Sequence, residues 1–210
     1  MTQSFILDSQ AGVLYDDLQR RFDPETRSWA AASTSVSDRV DAITAARWVQ
    51  RESGCPCRVP VGVIGPRDAS PAQLAMAEHI GRSLAAMGLA IICGGREGVM
   101  TAVAKGARSA GGTTIGLLPD ADASLANSYL DVVIATGIGE ARNALIARAS
   151  LCLVAIGDSY GTLSEVALGR HFGKRVIGLE GAAQVGGVMH VADGPAALAL
   201  VAECVLACAP

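Results

Sequence analysis

Four short glycine-bearing segments carry the chemistry that is most visible in this sequence: Gly65-Pro66-Arg67, Cys93-Gly94-Gly95-Arg96-Glu97-Gly98, Thr136-Gly137-Ile138-Gly139 and Gly157-Asp158-Ser159-Tyr160-Gly161-Thr162. Each follows an apolar run and precedes a stretch with helical spacing. Glycine lets backbone N–H groups come close to an anion, and the start of a helix adds partial positive charge. The chemistry is therefore the binding of a phosphorylated small molecule. A strand-to-helix turn uses glycine for backbone reasons alone, so one such segment would say little; four on one edge point to a ligand.

Other chemistries are disfavoured by what is missing. The turn after the first strand reads Gly65-Pro66-Arg67-Asp68, not the G-x-G-x-x-G of a dinucleotide site, and no lysine stands where a Walker-A motif needs one. Lys105 and Lys174 are the two lysines, which leaves few candidates for Schiff-base chemistry. Cys55-Pro56-Cys57 has no second pair near it, and His79, His171 and His190 are scattered, so no metal site is expected. Cys204 and Cys208, four apart, read as small buried residues of a C-terminal helix.

The elements that must position those glycine loops are legible from Arg58 onward. Apolar runs at 59–64, 89–92, 113–118, 131–135, 151–156 and 175–179 alternate with helical stretches, the pattern of a parallel sheet with crossover helices. The first helix is expected over about 71–87, with Met76, Ile80, Leu84 and Met87 as its apolar stripe. This is an α/β fold, a doubly wound and mostly parallel sheet, and ligands of such sheets bind at the carboxyl ends of the strands near the topological switch point.

Residues 1–57 differ in composition: they hold both tryptophans and two of the three phenylalanines, while 58–210 hold 22 of the 24 glycines. They read as an N-terminal extension, a hairpin (Phe5–Leu7 and Val13–Tyr15) followed by a helix from about Ser37 to Arg51, with Ser37 as its cap. The 210 residues thus divide into an extension, 1–57, and one nucleotide-binding domain, 58–210. Charged residues make up 18% and the net charge is −3, which excludes a disordered chain and makes a non-specific nucleic-acid binder a poor default. No apolar run approaches the roughly 20 residues that a bilayer requires, and no export signal is visible, so a cytoplasmic protein with free thiols is expected.

The run Cys93-Gly94-Gly95-Arg96-Glu97-Gly98-Val99-Met100, followed by Tyr160-Gly161-Thr162-Leu163-Ser164-Glu165, resembles the LOG family of cytokinin riboside monophosphate phosphoribohydrolases, whose motifs are G-G-G-x-x-G-L-M and P-G-G-x-G-T-x-x-E. The Gly-Gly-Arg turn and Thr136-Gly137-Ile138-Gly139-Glu140-Ala141-Arg142-Asn143 are more similar still to a Rossmann-like branch that includes molybdenum cofactor carrier proteins. The resemblance covers about 59–180.

The resemblance implies Arg142 and Glu165 as the catalytic pair of an N-glycosidic hydrolysis, the arginine holding phosphate or a ribose hydroxyl and the carboxylate stabilising oxocarbenium character or positioning water. The glycine loops, with the motifs that carry the resemblance, point to a ligand site at Gly65, Gly94, Gly95, Arg96, Gly98, Met100, Ser159, Tyr160, Gly161 and Thr162. Asn127, with Tyr129 near it in the long 119–130 connection, is a further candidate for contact with a base or pterin. Departures from the pattern matter: Cys93 replaces a glycine, Glu97 adds charge, and Gly157-Asp158-Ser159 replaces Pro-Gly-Gly, bringing two acids toward the expected phosphate, which Arg67, Arg96 and Arg142 could offset. Two functions stay open: hydrolysis of a nucleoside 5′-monophosphate to base and ribose 5-phosphate, placed first, and carriage of molybdenum cofactor or another nucleotide without chemistry. No cofactor is required by either, apart from the bound nucleotide or molybdopterin-type ligand itself. The family also implies a homodimer, for which the alanine-rich helices expected at 140–150 and 160–172 offer flat faces.

Overall fold

The computed structural model describes residues 4–34 and 37–207, and Cys208 lies outside them. Two compact units are present, one formed by 1–57 with 199–210 and the other by 58–198.

In the first unit five antiparallel strands run in the spatial order β4-β3-β2-β1-β5: β1 (Ser4–Asp8), β2 (Val13–Asp16), β3 (Arg20–Asp23), β4 (Ser28–Ala31) and β5 (Arg39–Asp41). The expected hairpin is β1 with β2, paired from Phe5 opposite Asp16 to Asp8 opposite Val13. The other three strands extend it to a sheet with its own aromatic core, in which Phe5 and Phe22 are buried and Trp29 stacks on Phe5 at 5.9 Å. Helix α1 (Ala42–Arg51) starts five residues later than the sequence suggests, because 39–41 pair as a strand and Asp41 caps the helix, accepting a hydrogen bond from the Thr44 amide at 2.7 Å.

The second unit is a seven-stranded sheet, parallel throughout, in the order β12-β11-β10-β6-β7-β8-β9. Its strands are β6 (Val61–Ile64), β7 (Ile91–Cys93), β8 (Thr114–Leu118), β9 (Val132–Ala135), β10 (Leu153–Ile156), β11 (Val176–Leu179) and the two-residue β12 (Met189–His190). Helices α2 (Pro71–Met87), α3 (Val99–Ser109), α4 (Asn143–Ala149) and α5 (Tyr160–His171) cross over between them, and α6 (Gly194–Val205) follows β12, with its residues from 199 on counted in the first unit. The chain winds outward from β6 to β9, then returns to β10 on the other side of β6. The carboxyl ends of β6 and β10 therefore flank the switch point, where neighbouring loops diverge and leave a crevice.

Every residue of β6, β10 and β11 is buried, which explains why these strands read as continuous apolar runs. Helix α2 is fixed at its start by a reciprocal cap: Ser70 Oγ accepts from the Gln73 amide at 3.2 Å, and Gln73 Oε1 accepts from the Ser70 amide at 2.9 Å. Its buried face carries Ile80 and Leu84, each worth about 1.5–3 kcal/mol of burial. At Gly81 and Gly106 the helices α2 and α3 touch backbone to backbone, since a Cβ on either would overlap a carbonyl oxygen of the other helix, Val103 or Glu78.

Candidate functional site

A cavity of about 370 Å³ opens at the carboxyl ends of β6, β7 and β10. Gly65, Pro66, Arg67 and Asp68 reach it from the loop after β6; Gly94, Arg96 and Met100 from the turn into α3 and its first turn; Glu140 and Arg142 from the 3-10 turn before α4 and Asn143 from its first residue; and Asp158, Ser159, Gly161, Thr162 and Glu165 from the turn into α5 and its first turns. Its volume lies within the range usual for small-molecule sites.

The turn from β7 into α3 is built to present amides. Asn127 Nδ2 donates to the carbonyl oxygens of Gly95 and Arg96, both at 3.1 Å, the Asn127 amide donates to Gly95 O at 3.0 Å, and Thr101 Oγ1 donates to Arg96 O at 2.9 Å. With its carbonyls held there, the loop keeps the N–H groups of Arg96, Glu97 and Gly98 without an acceptor among the described residues. Successive unpaired amides of this kind form an anion-binding nest. Gly98 makes the turn possible: its φ is +68°, and a Cβ would overlap the carbonyl oxygens of Arg67 and Pro66. The Val99 amide donates to Pro66 O at 3.1 Å, which ties this turn to the loop after β6.

At the head of α5 the arrangement differs. Ser159 caps the helix with its own side chain, accepting from the Thr162 amide at 3.1 Å and sharing a hydrogen bond with Thr162 Oγ1 at 2.9 Å. One donor of that helix end is thus already used. The buried residues of α5 are Thr162, Glu165, Val166 and Gly169, a stripe at spacings of three, one and three, so a carboxyl occupies a position that helical periodicity turns inward.

Arg142 and Glu165 meet at the floor of the cavity, each 6% exposed. Arg142 Nη1 donates to Glu165 Oε1 at 3.4 Å and also to Asn143 Oδ1, while Nη2 lies 4.0 Å from Glu140 Oε2. Arg142 Nε, buried, has no hydrogen-bond partner among the described residues. Asn143 is 3% exposed and bridges the two elements, donating through Nδ2 to Ser164 Oγ at 2.8 Å and more weakly to Gly161 O at 3.5 Å. Burial pushes the Glu165 carboxyl up from its ordinary value of 4.5 to about 8; the Arg142 charge opposes this and Glu140 adds to it. The same burial pushes the Cys93 thiol up to about 11.

Several acids near the cavity are paired. Glu97 lies 3.9 Å from Arg67 and lines a separate, more open cavity of about 570 Å³ between α2 and α3. Asp120 lies 3.4 Å from Arg96. Asp68 and Asp158, both exposed and both lining the main cavity, have no ion-pair or hydrogen-bonding partner among the described residues. No group of three or more His, Cys, Asp or Glu among the described residues could hold a metal ion.

Of the residues that the sequence singles out, Arg142, Glu165, Gly65, Gly94, Arg96, Met100, Ser159, Gly161 and Thr162 line the one cavity. Gly95 and Gly98 shape the amide turn without lining it, and Asn127 acts on that turn from behind. Tyr160 is 95% exposed and outside the cavity lining. Asn143, Glu140 and Asp68 were not singled out; the signal for Asn143 was an amide directly after an arginine at a helix start.

The SLOG cluster4 family model matches residues 58–201. This chain belongs to the SLOG cluster4 family. The matched SLOG segment contains every residue of the cavity. An uncharacterised protein of Archaeoglobus fulgidus is 41% identical over 120 residues, 57% of this chain and 79% of its own length. Among solved structures, the SLOG domain is similar to the molybdenum cofactor binding protein of Rippkaea orientalis, 34% identical with a TM-score of 0.65, covering 69% of this chain and 96% of that one. It is likewise similar to the molybdenum cofactor carrier protein of Chlamydomonas reinhardtii, 38% identical with a TM-score of 0.65, covering 70% of this chain and 99% of that one.

Proposed function

We propose that this chain binds and carries a small phosphorylated heterocycle without cleaving it, a molybdopterin-type ligand being the first candidate and a nucleotide the second. The phosphate would sit at the turn into α3, by the Arg96 amide and beside Arg142. The observation that carries the reading is the burial of Glu165. A carboxyl held near 8 is mostly uncharged at neutral pH, so it lacks the negative charge that would stabilise an oxocarbenium ion. A neutral Glu165 also leaves the Arg142 charge available to an anion, and the buried, unpartnered Nε is a donor still to be satisfied. The likeness to proteins named for binding or carrying molybdenum cofactor supports the pterin.

Hydrolysis of a nucleoside 5′-monophosphate is the second reading, favoured by the 3.4 Å Arg142–Glu165 pair in the cavity. There a protonated Glu165 would act as the acid that protonates the departing base. A reducing-sugar assay over nucleoside monophosphates, run beside calorimetry with the same compounds and a pterin phosphate, separates the two. Binding without release of ribose 5-phosphate is expected; turnover that Glu165→Gln abolishes would put hydrolysis first.

The reading includes a homodimer, to which the exposed Leu145 of α4 and Tyr160 and Leu163 of α5 lend support, and light scattering checks it. It also includes a cytoplasmic location, in keeping with the thiols of Cys55 and Cys93. Among the described residues no helix is long and apolar enough to cross a membrane.

A further inference from the structure

Arg142 is crowded by acid. Glu165 Oε1 lies 3.4 Å from its Nη1, Glu140 Oε2 lies 4.0 Å from its Nη2, and both carboxyls line the cavity with it. The unpartnered Nε still offers an anion a donor. A phosphate monoester seated there adds a charge of about −1.5 to −2, which one guanidinium cannot balance against two carboxylates as well. One acid must give up its charge. The Glu140 side chain is 72% exposed and screened by water, whereas that of Glu165 is 8% exposed and is not. The hydrogen bonds also show where a proton on Glu165 belongs. Arginine only donates, so Oε1 has to accept from Nη1. Oε2 has no hydrogen-bond partner among the described residues. Protonated on Oε2, Glu165 is a donor in search of an acceptor, and a phosphate oxygen in the cavity supplies one.

We propose that Glu165 binds the ligand's phosphate as a neutral acid, donating from Oε2 to a phosphate oxygen while Arg142 supplies the charge, so that binding is coupled to a proton on this carboxyl. The proposal rests on the reading that a phosphate sits beside Arg142, and it adds the protonation state that admits the anion and a means of releasing it. The proton comes from solvent, and no bond of the ligand breaks. Burial holds the free carboxyl near 8, so the binding-competent form predominates at neutral pH and is depleted above it. Affinity is therefore full below that titration and falls about tenfold per pH unit above it. The charged and titratable groups that face Glu165 are Arg142 and Glu140 of the 139–142 turn, Cys93 at the end of β7, Asp158 of its own loop, and Arg67, Asp68 and Arg96 around the cavity. Strands β10 and β11 bring none, and Arg148 of α4 lies over the Phe172 ring at 3.7 Å. The Cys93 thiol, pushed up to about 11 by burial, keeps its proton through pH 9.

The test is calorimetry on the full chain with ribose 5-phosphate, which carries no base to be cleaved, from about pH 7 to about pH 9.5 and in two buffers of different ionisation enthalpy at each pH, for wild type and Glu165→Gln. The phosphate is already a dianion over most of this range, its second ionisation lying near about 6, so the protons counted belong to the protein. Wild type is expected to take up only a small fraction of a proton per ligand at about pH 7 and close to one at about pH 9.5, with affinity falling about tenfold over the last pH unit. Glu165→Gln keeps a donor in its amide, so it should bind close to wild type at neutral pH, take up no proton and show an affinity that does not change with pH. Melting curves check that the variant folds, and the wild-type proton count decides the question without it. Binding with no proton uptake and a flat pH profile in wild type would overturn the coupling and leave the phosphate-binding reading standing. A pH dependence retained in Glu165→Gln would assign the proton to another group and overturn the proposal in the same way. Failure of ribose 5-phosphate to bind at any pH would overturn both.

Discussion

Replacing Glu165 by glutamine keeps the side chain's shape and its acceptor toward Arg142 and removes one titration. In the folded protein that titration lies near 8, and in the unfolded chain it lies near 4.5. The folded state therefore holds the proton more tightly. Stability from this group is complete below about pH 4.5, falls as the pH rises through that window, and levels off above about 8. The slope is about 1.4 kcal/mol per pH unit, so by pH 7 the wild type has lost on the order of 3 kcal/mol that the variant never had. Urea denaturation at pH 5, 6, 7, 8 and 9 should show Glu165→Gln close to wild type at pH 5 and progressively more stable above it, until the difference stops growing near pH 8. Parallel profiles would refute the reasoning. A wild type that gains on the variant as the pH rises would mean that Arg142 keeps Glu165 ionised, and the oxocarbenium role would return.

The other expectations concern single positions. Gly98→Ala should cost about 1–3 kcal/mol from backbone conformation, with the overlap on the Arg67 and Pro66 carbonyls added, and should appear as a lowered melting temperature. Gly161→Val should fold, because a Cβ there meets only Ser159 Oγ at 3.8 Å, yet should weaken binding of a pterin phosphate in calorimetry by blocking approach to the backbone; unchanged affinity would make Gly161 a turn residue only. At pH 8 the native protein should be alkylated by iodoacetamide at exposed Cys55 and spared at Cys93, whose thiol is buried and held near 11, as peptide mass spectrometry would show.

The second unit was legible because strands buried on both faces leave unbroken apolar runs: β10 lies inside the run 151–156 and β11 inside 175–179. Helix α2 spans 71–87 as its spacing suggests. The two-residue β12 leaves no such trace. In the first unit, Arg20–Asp23 and Ser28–Ala31 are four residues each and the second is largely open to solvent, so they show no clean alternation, and their pairing depends on partners elsewhere in the chain. At the site, the residue types of Arg142 and Glu165 were readable but the protonation state was not, because it depends on how deeply the fold buries the carboxyl. Ser159 and Asp158 show the same limit. The sequence allows either to cap α5, and the structure gives the cap to Ser159 and leaves Asp158 in the cavity.

A crystal structure of the protein soaked with GMP or neopterin monophosphate tests the account most directly. The phosphate should lie in the main cavity, within hydrogen-bonding distance of the Arg96 amide and of the Arg142 guanidinium, with the glycosidic or side-chain linkage intact. A phosphate seated between α2 and α3 beside Lys105, or a cleaved ligand at the Arg142–Glu165 pair, would contradict it.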